Sequence, residues 1–381
     1  MRPSTPRSAF TLLAVLPWAV FLMTASCGSD DGSDLMAASG SAGSQSDAAT
    51  GGASGSGGAA GTGGAAAYAG EAGSATGGIG GDAGNSGAGG ADAASLADPA
   101  QEGPFSHHAL DGKAGTVAVH CEVPEPGPSS GPYPVVLIAH GFQLESSRYY
   151  GYAARLGSFG YVACTVDYSN LGGQDKDPIA ISAVLDWVVA EGAKPSGPLD
   201  GLIDASLIGV MGHSRGGKAA VVAASADNRF KAVLGLDPVN TCPGFGQGCP
   251  DGIGALASMS IPTAFLGETT DDGTGGPGQA CAPAADNYQK FYGTAPSPSL
   301  QVTVNGANHM SFVVDLTNCL ACGFCKPATA DHQAVVDLSY SFTVAFFERR
   351  LRGVIDYDDY LTGTKAQERY VQVGLATIES K

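Results

Sequence analysis

A serine sits between glycines in Gly212-His213-Ser214-Arg215-Gly216, with an apolar run at 207–211 before it and a small-residue stretch at 218–225 after it. Gly-x-Ser-x-Gly between a strand and a helix is the turn that lifts a nucleophilic hydroxyl above a sheet. Such a turn leaves no room for side chains beside the serine, which accounts for Gly212 and Gly216. The helix that follows aims its free N–H groups at a carbonyl oxygen. In a chain with 57 glycines the pattern alone is weak. The strand and helix signals on its two sides are what make Ser214 the candidate nucleophile.

A serine nucleophile needs a base, an acid to orient the base, and two backbone N–H donors for the oxyanion. On this turn the chain order is serine, acid, histidine. Only His309 and His332 follow Ser214. His309 lies in Asn305-Gly306-Ala307-Asn308-His309, directly after an apolar strand, and is the expected base; His332 opens a long helix and is expected to face solvent. Two aspartates sit at strand ends, Asp237 after 232–236 and Asp271 after 261–266. Pro238 stiffens the chain after Asp237, whereas Asp271 lies in a Gly-rich loop. Sequence physics leaves the two acids nearly even. The oxyanion donors are expected at Arg215, just after the nucleophile, and at Phe142 in His140-Gly141-Phe142, whose ring alternatively only lines the pocket.

These residues need a sheet to hold them. Residues 134–139 (PVVLIA) form a continuous apolar run, the pattern of a buried central strand. Further strands are expected at 116–123, 161–166, 207–211, 232–236, 261–266 and 300–304, with helices at 148–159, 179–190, 218–225, 284–292 and 333–351. Strands alternating with helices predict βαβ units and a mostly parallel sheet flanked by helices, and with the nucleophile turn at Ser214 this is the pattern of the α/β-hydrolase fold.

The remaining sequence bears on location and partners. The 381 residues carry 36 acidic and 19 basic side chains, a net charge of −17, which repels phosphate backbones and argues against nucleic acid as a partner. Arg2 and Arg7, an apolar stretch at 10–23 and Thr24-Ala25-Ser26-Cys27 read as an export signal at 1–27, with Cys27 resembling the lipidated cysteine of a bacterial lipobox. Residues 28–100 are Gly, Ala and Ser with scattered Asp, a linker unable to build a core and spanning about 45 Å as a flexible coil. The expected order is therefore signal, linker and a hydrolase domain at 101–381. It is expected to be monomeric and exported to the cell envelope, held to a membrane only through Cys27 or, with ordinary cleavage near Ser26 instead, periplasmic or extracellular. Eight further cysteines suggest disulfides: Cys242 with Cys249 across a short loop, and Cys121 with Cys164 on neighbouring strands. Cys319, Cys322 and Cys325 have metal-like spacing without a clear fourth ligand, so disulfides are the default there too and no metal is expected.

Residues 212–217 (GHSRGG), Gly235-Leu236-Asp237-Pro238-Val239, and Cys281-Ala282-Pro283 followed by Asn287-Tyr288 and Phe291-Tyr292 resemble the chlorophyllase family and its bacterial relatives over most of 134–309. That resemblance implies ester hydrolysis by Ser214, Asp237 and His309, and favours Asp237 as the acid. Residues 261–271 (IPTAFLGETTD) and 304–309 (VNGANH) are also similar to secreted polyester hydrolases and cutinase-like enzymes, which implies Asp271 instead. The loop 271–279 and the Cys-rich segment after His309 depart from the plant enzymes. The expected activity is thus cleavage of a small-molecule or lipid-like ester through an acyl-enzyme, without a cofactor. Two other readings share these residues: a peptidase or thioesterase on the same fold, and a non-catalytic envelope binding protein on a hydrolase scaffold.

Overall fold

The structure is a computed structural model and describes residues 96–170, 173–242, 248–271 and 280–381. The expected signal at 1–27, Cys27 and the linker up to residue 95 lie outside the described residues. Among the described residues no helix is long and apolar enough to cross a membrane.

The chain enters the sheet through two antiparallel strands, β1 (His107–Ala114) and β2 (Val117–Pro124). It continues through β3 (Tyr133–Ala139), α1 (Tyr150–Ser158), β4 (Val162–Asp167), α2 (Asp177–Gly192) and β5 (Ile203–His213). After Ser214 come α3 (Arg215–Ala226), β6 (Phe230–Leu236), α4 (Gly252–Leu256), β7 (Thr263–Glu268) and α5 (Tyr288–Thr294). The last elements are β8 (Ser299–Val304), α6 (His332–Arg350) and β9 (Ala376–Ser380).

The sheet order is β1-β2-β4-β3-β5-β6-β7-β8-β9. From β4 across to β8 every pair is parallel, and β2/β4 and β8/β9 are antiparallel. All seven residues of β3 are buried, because helices cover both faces. Val136 and Ile138 join the cluster under α1 and α6; Val135 and Leu137 join the cluster under α2, α3 and α5. The strand order reverses between β3 and β5, and the crevice outside the strand ends at such a point is where α/β sheets bind ligands.

Two edge strands escape the sequence reading. β1 (HHALDGKA) is half exposed and polar, and β9 pairs along one side only, so neither carries the apolar run that marks an interior strand. The domain boundary at Gln101 also falls inside the packed chain. Leu96 and Ala97 pack on the core, Tyr357 donates to the Ala97 carbonyl at 3.0 Å, and Arg369 holds Asp98 through two bonds of 2.7 and 2.5 Å.

Four disulfides join the eight cysteines after Cys27. Cys121 and Cys164 are register partners on β2 and β4, and Cys242 pairs locally with Cys249. The Cys319-Cys322-Cys325 run divides: Cys319 pairs with Cys322, and Cys325 reaches back to Cys281.

Candidate active site

Ser214 has φ 55° and ψ −122°, a left-handed backbone that a serine adopts only where its surroundings enforce it. Its N–H donates to the Leu236 carbonyl at 2.9 Å, and its own carbonyl accepts from Lys218 and Val239 at 3.2 and 3.3 Å. The flanking glycines are steric requirements. A Cβ on Gly216 would lie 2.3 Å from the Ala139 carbonyl oxygen, and one on Gly212 would lie 2.4 Å from the Gly216 backbone.

Asp237 leaves β6 with φ 42°, its N–H bonded to the Leu266 carbonyl at 2.6 Å and its side chain fully buried. His309 begins a short 3₁₀ turn after β8, entered through a capping box in which Asn308 and Ser311 bond reciprocally. These two loops bring the side chains together. His309 Nε2 lies 2.8 Å from Ser214 Oγ, and His309 Nδ1 lies 2.6 Å from Asp237 Oδ2. Burial pushes the His309 imidazole down to about 4, with the Asp271 carboxylate acting in the opposite direction. The ring is therefore neutral at pH 7.

Asp271, the other candidate acid, is fully buried but does not meet the imidazole. Its Oδ2 accepts the backbone N–H of His309 at 2.9 Å, and its Oδ1 accepts that of Lys326 at 2.9 Å. His332 is half-buried rather than solvent-facing; its Nε2–H donates to the Val313 carbonyl at 2.8 Å. The reason is that the turn from His309 to Val313 folds back over the start of α6.

The loop after β3 is held from several sides. His140 Nε2 bonds the Tyr168 carbonyl at 3.0 Å, and Tyr168 donates to the His140 carbonyl at 2.6 Å. Arg215 forms a buried two-bond ion pair with Asp177, at 2.5 and 2.7 Å, and its guanidinium lies 5.9 Å from the Phe142 ring. The Arg215 side chain thus braces the loop carrying Phe142, while the Phe142 and Arg215 amides donate to no other described residue.

Sequence reasoning missed Asp177, Glu268 and Tyr149. Glu268 ends β7 fully buried; its Oε2 accepts the N–H groups of Thr270 and Asp271, and burial, with Asp237 adding to it, pushes its carboxyl up to about 9. The only signal for it was its position at a strand end beside Asp271. Asp177 carried none, because its partner Arg215 is 38 residues away.

A cavity of about 290 Å³ opens over Ser214 and His309, walled by Phe142, Leu144, Val239, Met310 and Phe324. A larger, more open depression lies at the starts of β6 and β7, around Asn228, Lys231 and Ile261, away from Ser214. Asp271 also comes near the sulfurs of Cys281 and Cys325. Those sulfurs are bonded to each other, so they are not thiolate ligands and the set does not fit a metal ion.

The sequence profile of the chlorophyllase family matches residues 118–379. The chain belongs to the chlorophyllase family. Chlorophyllase-2 of Arabidopsis thaliana is 27% identical over 208 residues, covering 49% of this chain and 63% of that one. Bis(hydroxyethyl) terephthalate hydrolase of Streptomyces coelicolor is 29% identical over 186 residues, covering 48% and 52%. Cutinase est1 of Thermobifida alba is 25% identical over 187 residues, covering 49% and 56%. The matches thus span between half and two thirds of the length of these relatives. All three names denote carboxylic ester hydrolases, and the mostly parallel nine-stranded sheet is the α/β-hydrolase architecture expected of this chlorophyllase-family member.

Proposed function

We propose that the protein is a serine carboxylic ester hydrolase in which Ser214 is the nucleophile, His309 the base and Asp237 the acid that orients it. The observation carrying this reading is the continuous run of contacts from Ser214 Oγ through the His309 ring to Asp237, at 2.8 and 2.6 Å, beneath an open cavity. His309 Nε2 takes the Ser214 proton as Oγ attacks an ester carbonyl. The oxyanion is received by the N–H groups of Phe142 and Arg215, the latter at the start of α3. Asp237 stabilises the imidazolium, which returns its proton to the leaving alcohol. Water then cleaves the acyl-enzyme by the same route in reverse. These steps use only side chains, backbone and water.

The cavity is at the small end of ligand sites, and its walls are mainly apolar. That favours a single aromatic ring or a medium acyl chain on the side of the ester it encloses, as in bis(hydroxyethyl) terephthalate. The test is hydrolysis of p-nitrophenyl esters of increasing acyl length, and of bis(hydroxyethyl) terephthalate, by residues 96–381 and by Ser214→Ala. The wild type turns over a subset of these esters and labels with a fluorophosphonate probe, and the variant does neither. Turnover by the variant refutes the nucleophile assignment. An inert wild type that fails to label leaves the binding-scaffold reading instead.

The same reading extends to location. The signal-like residues 1–27, the linker-like composition of 28–95 and four disulfides together support an exported lipoprotein anchored at Cys27. Cys27→Ala then moves the full-length protein from the membrane to the soluble fraction. Continued membrane association of that variant refutes the anchor.

A further inference from the structure

A catalytic histidine presents a positioning problem. Its ring exchanges partners during turnover, first with the serine, then with the leaving alcohol and then with water, so ring contacts alone do not hold it still. His309 is held by its peptide as well. Its N–H donates to Asp271 Oδ2 at 2.9 Å, and its carbonyl lies 2.8 Å from His213 Nε2. Neither contact involves the ring.

Both clamping groups are themselves fixed. A carbonyl only accepts, so His213 Nε2 carries the proton and Nδ1 carries the lone pair. Nδ1 therefore accepts from Tyr149 Oη at 2.7 Å, and that oxygen accepts the N–H of Gly141 at 3.3 Å. Every proton in this line is determined by its end groups. It runs from the loop bearing Phe142, through the residue before Ser214, to the backbone of His309. On the other side, Asp271 Oδ1 accepts the amides of Lys326 and Cys281 at 2.9 and 3.4 Å. The Cys281–Cys325 disulfide ties together the two segments that supply those donors. A carboxylate with two acceptor oxygens suits three converging N–H groups. An amide would turn its NH₂ toward one of them.

We propose that Asp271 and His213 are positioning residues that clamp His309 by its own peptide, leaving the ring to Asp237 and Ser214. The inference rests on the assignment of Ser214, His309 and Asp237 proposed above. It gives the aspartate in the loop after β7 a structural task on the backbone of the base, distinct from the acid's task on the ring. A misplacement on the scale of 1 Å in such a site costs about 10²-fold in rate. Removal of the acid costs about 10⁴-fold, through the wrong tautomer.

The experiment compares residues 96–381 as wild type, Ser214→Ala, Asp237→Asn and Asp271→Asn, by steady-state kinetics on p-nitrophenyl butyrate and by proton NMR of the downfield imidazole N–H. Asp271→Asn lowers kcat about 10- to 100-fold with KM unchanged and keeps the Nδ1–H resonance. Asp237→Asn loses that resonance and about 10⁴-fold in kcat. If Asp271→Asn loses the resonance and Asp237→Asn keeps it, Asp271 is the acid and the clamp is refuted. Wild-type kcat in Asp271→Asn also refutes it. Should Asp271→Asn not fold, His213→Phe keeps a ring of similar size and removes the donor. It shows the same loss of kcat at constant KM, partly restored in His213→Gln, whereas wild-type kcat in His213→Phe overturns the proposal. Turnover by Ser214→Ala is the separate result that removes the underlying assignment.

Discussion

In the proposed mechanism His309, as the base, sets the pH range in which the site works. The base is useful only when neutral, and burial lowers its pKa from the ordinary 6.5 to about 4, against the opposing pull of Asp271. The acid limb of kcat/KM therefore has its midpoint below 6.5, and activity stays on its plateau through pH 6. A pH series of kcat/KM on a p-nitrophenyl ester, with unfolding followed separately, measures that midpoint; a value at or above 6.5 contradicts a desolvated base. The stability linkage has the same sign. Between about 4 and 6.5 the unfolded chain binds more protons at His309 than the folded one, so the fold loses stability as pH falls through that window. Glu268 acts oppositely. Its carboxyl is raised to about 9, so its contribution is complete below the ordinary carboxylate range and declines as pH rises toward 9. The meeting of Ser214 and His309 was legible because each sits where chain order and a strand end require it. Asp237 and Asp271 were not separable by sequence physics, because both end strands that reach the same corner. What distinguishes them is which part of His309 each carboxylate meets, ring or peptide, and no sequence pattern encodes that.

The strands most directly legible are those buried on both faces. β3 reads as an uninterrupted apolar run, and β4 and β6 as mostly apolar ones, because helices cover the sheet above and below, and each was located to within two residues of its ends. β1 and β9 pair on one side only and carry polar residues, so the same rule passes over them. Cysteine pairing followed a similar division. Cys121 and Cys164 could be matched from strand order, since register then sets them opposite each other. The last three cysteines could not be matched, because Cys325 pairs across 44 residues to a segment whose only claim on it is proximity to Asp271. The disulfides Cys281–Cys325 and Cys319–Cys322 brace one wall of the cavity, the wall that carries Ala321 and Phe324. The Cys-rich segment after His309 thus forms part of the wall of the cavity over Ser214.

At the scale of the molecule, composition separates the packed domain from what precedes it, but it sets the boundary late. Gly, Ala and Ser continue to residue 95, and the sparse apolar residues at 96 and 97 are too few to register as a core segment. Among the described residues they are the first to pack on the core. Leu96 and Ala97 pack on the cluster under α6, and Asp98 is held by Arg369 while that guanidinium also lies 5.2 Å from the Tyr360 ring. Solvent reaches the ion pair, so its share is under about 1 kcal/mol. Partial burial of Leu96 adds a comparable amount. A chain starting at Gln101 therefore melts about 2–5 °C below one starting at Leu96. The lost contacts lie around α6 and the segment 357–370, and none of those residues lines the cavity over Ser214, so kcat and KM on a short ester are equal in the two. Calorimetry of both proteins at matched pH measures the difference. Equal melting temperatures would show that the Asp98–Arg369 contact and the packing of Leu96 contribute nothing in solution, and would return the start of the domain to Gln101. A difference in kcat would mean that the N-terminal anchor reaches the site through α6, whose first residue, His332, bonds the turn that carries His309.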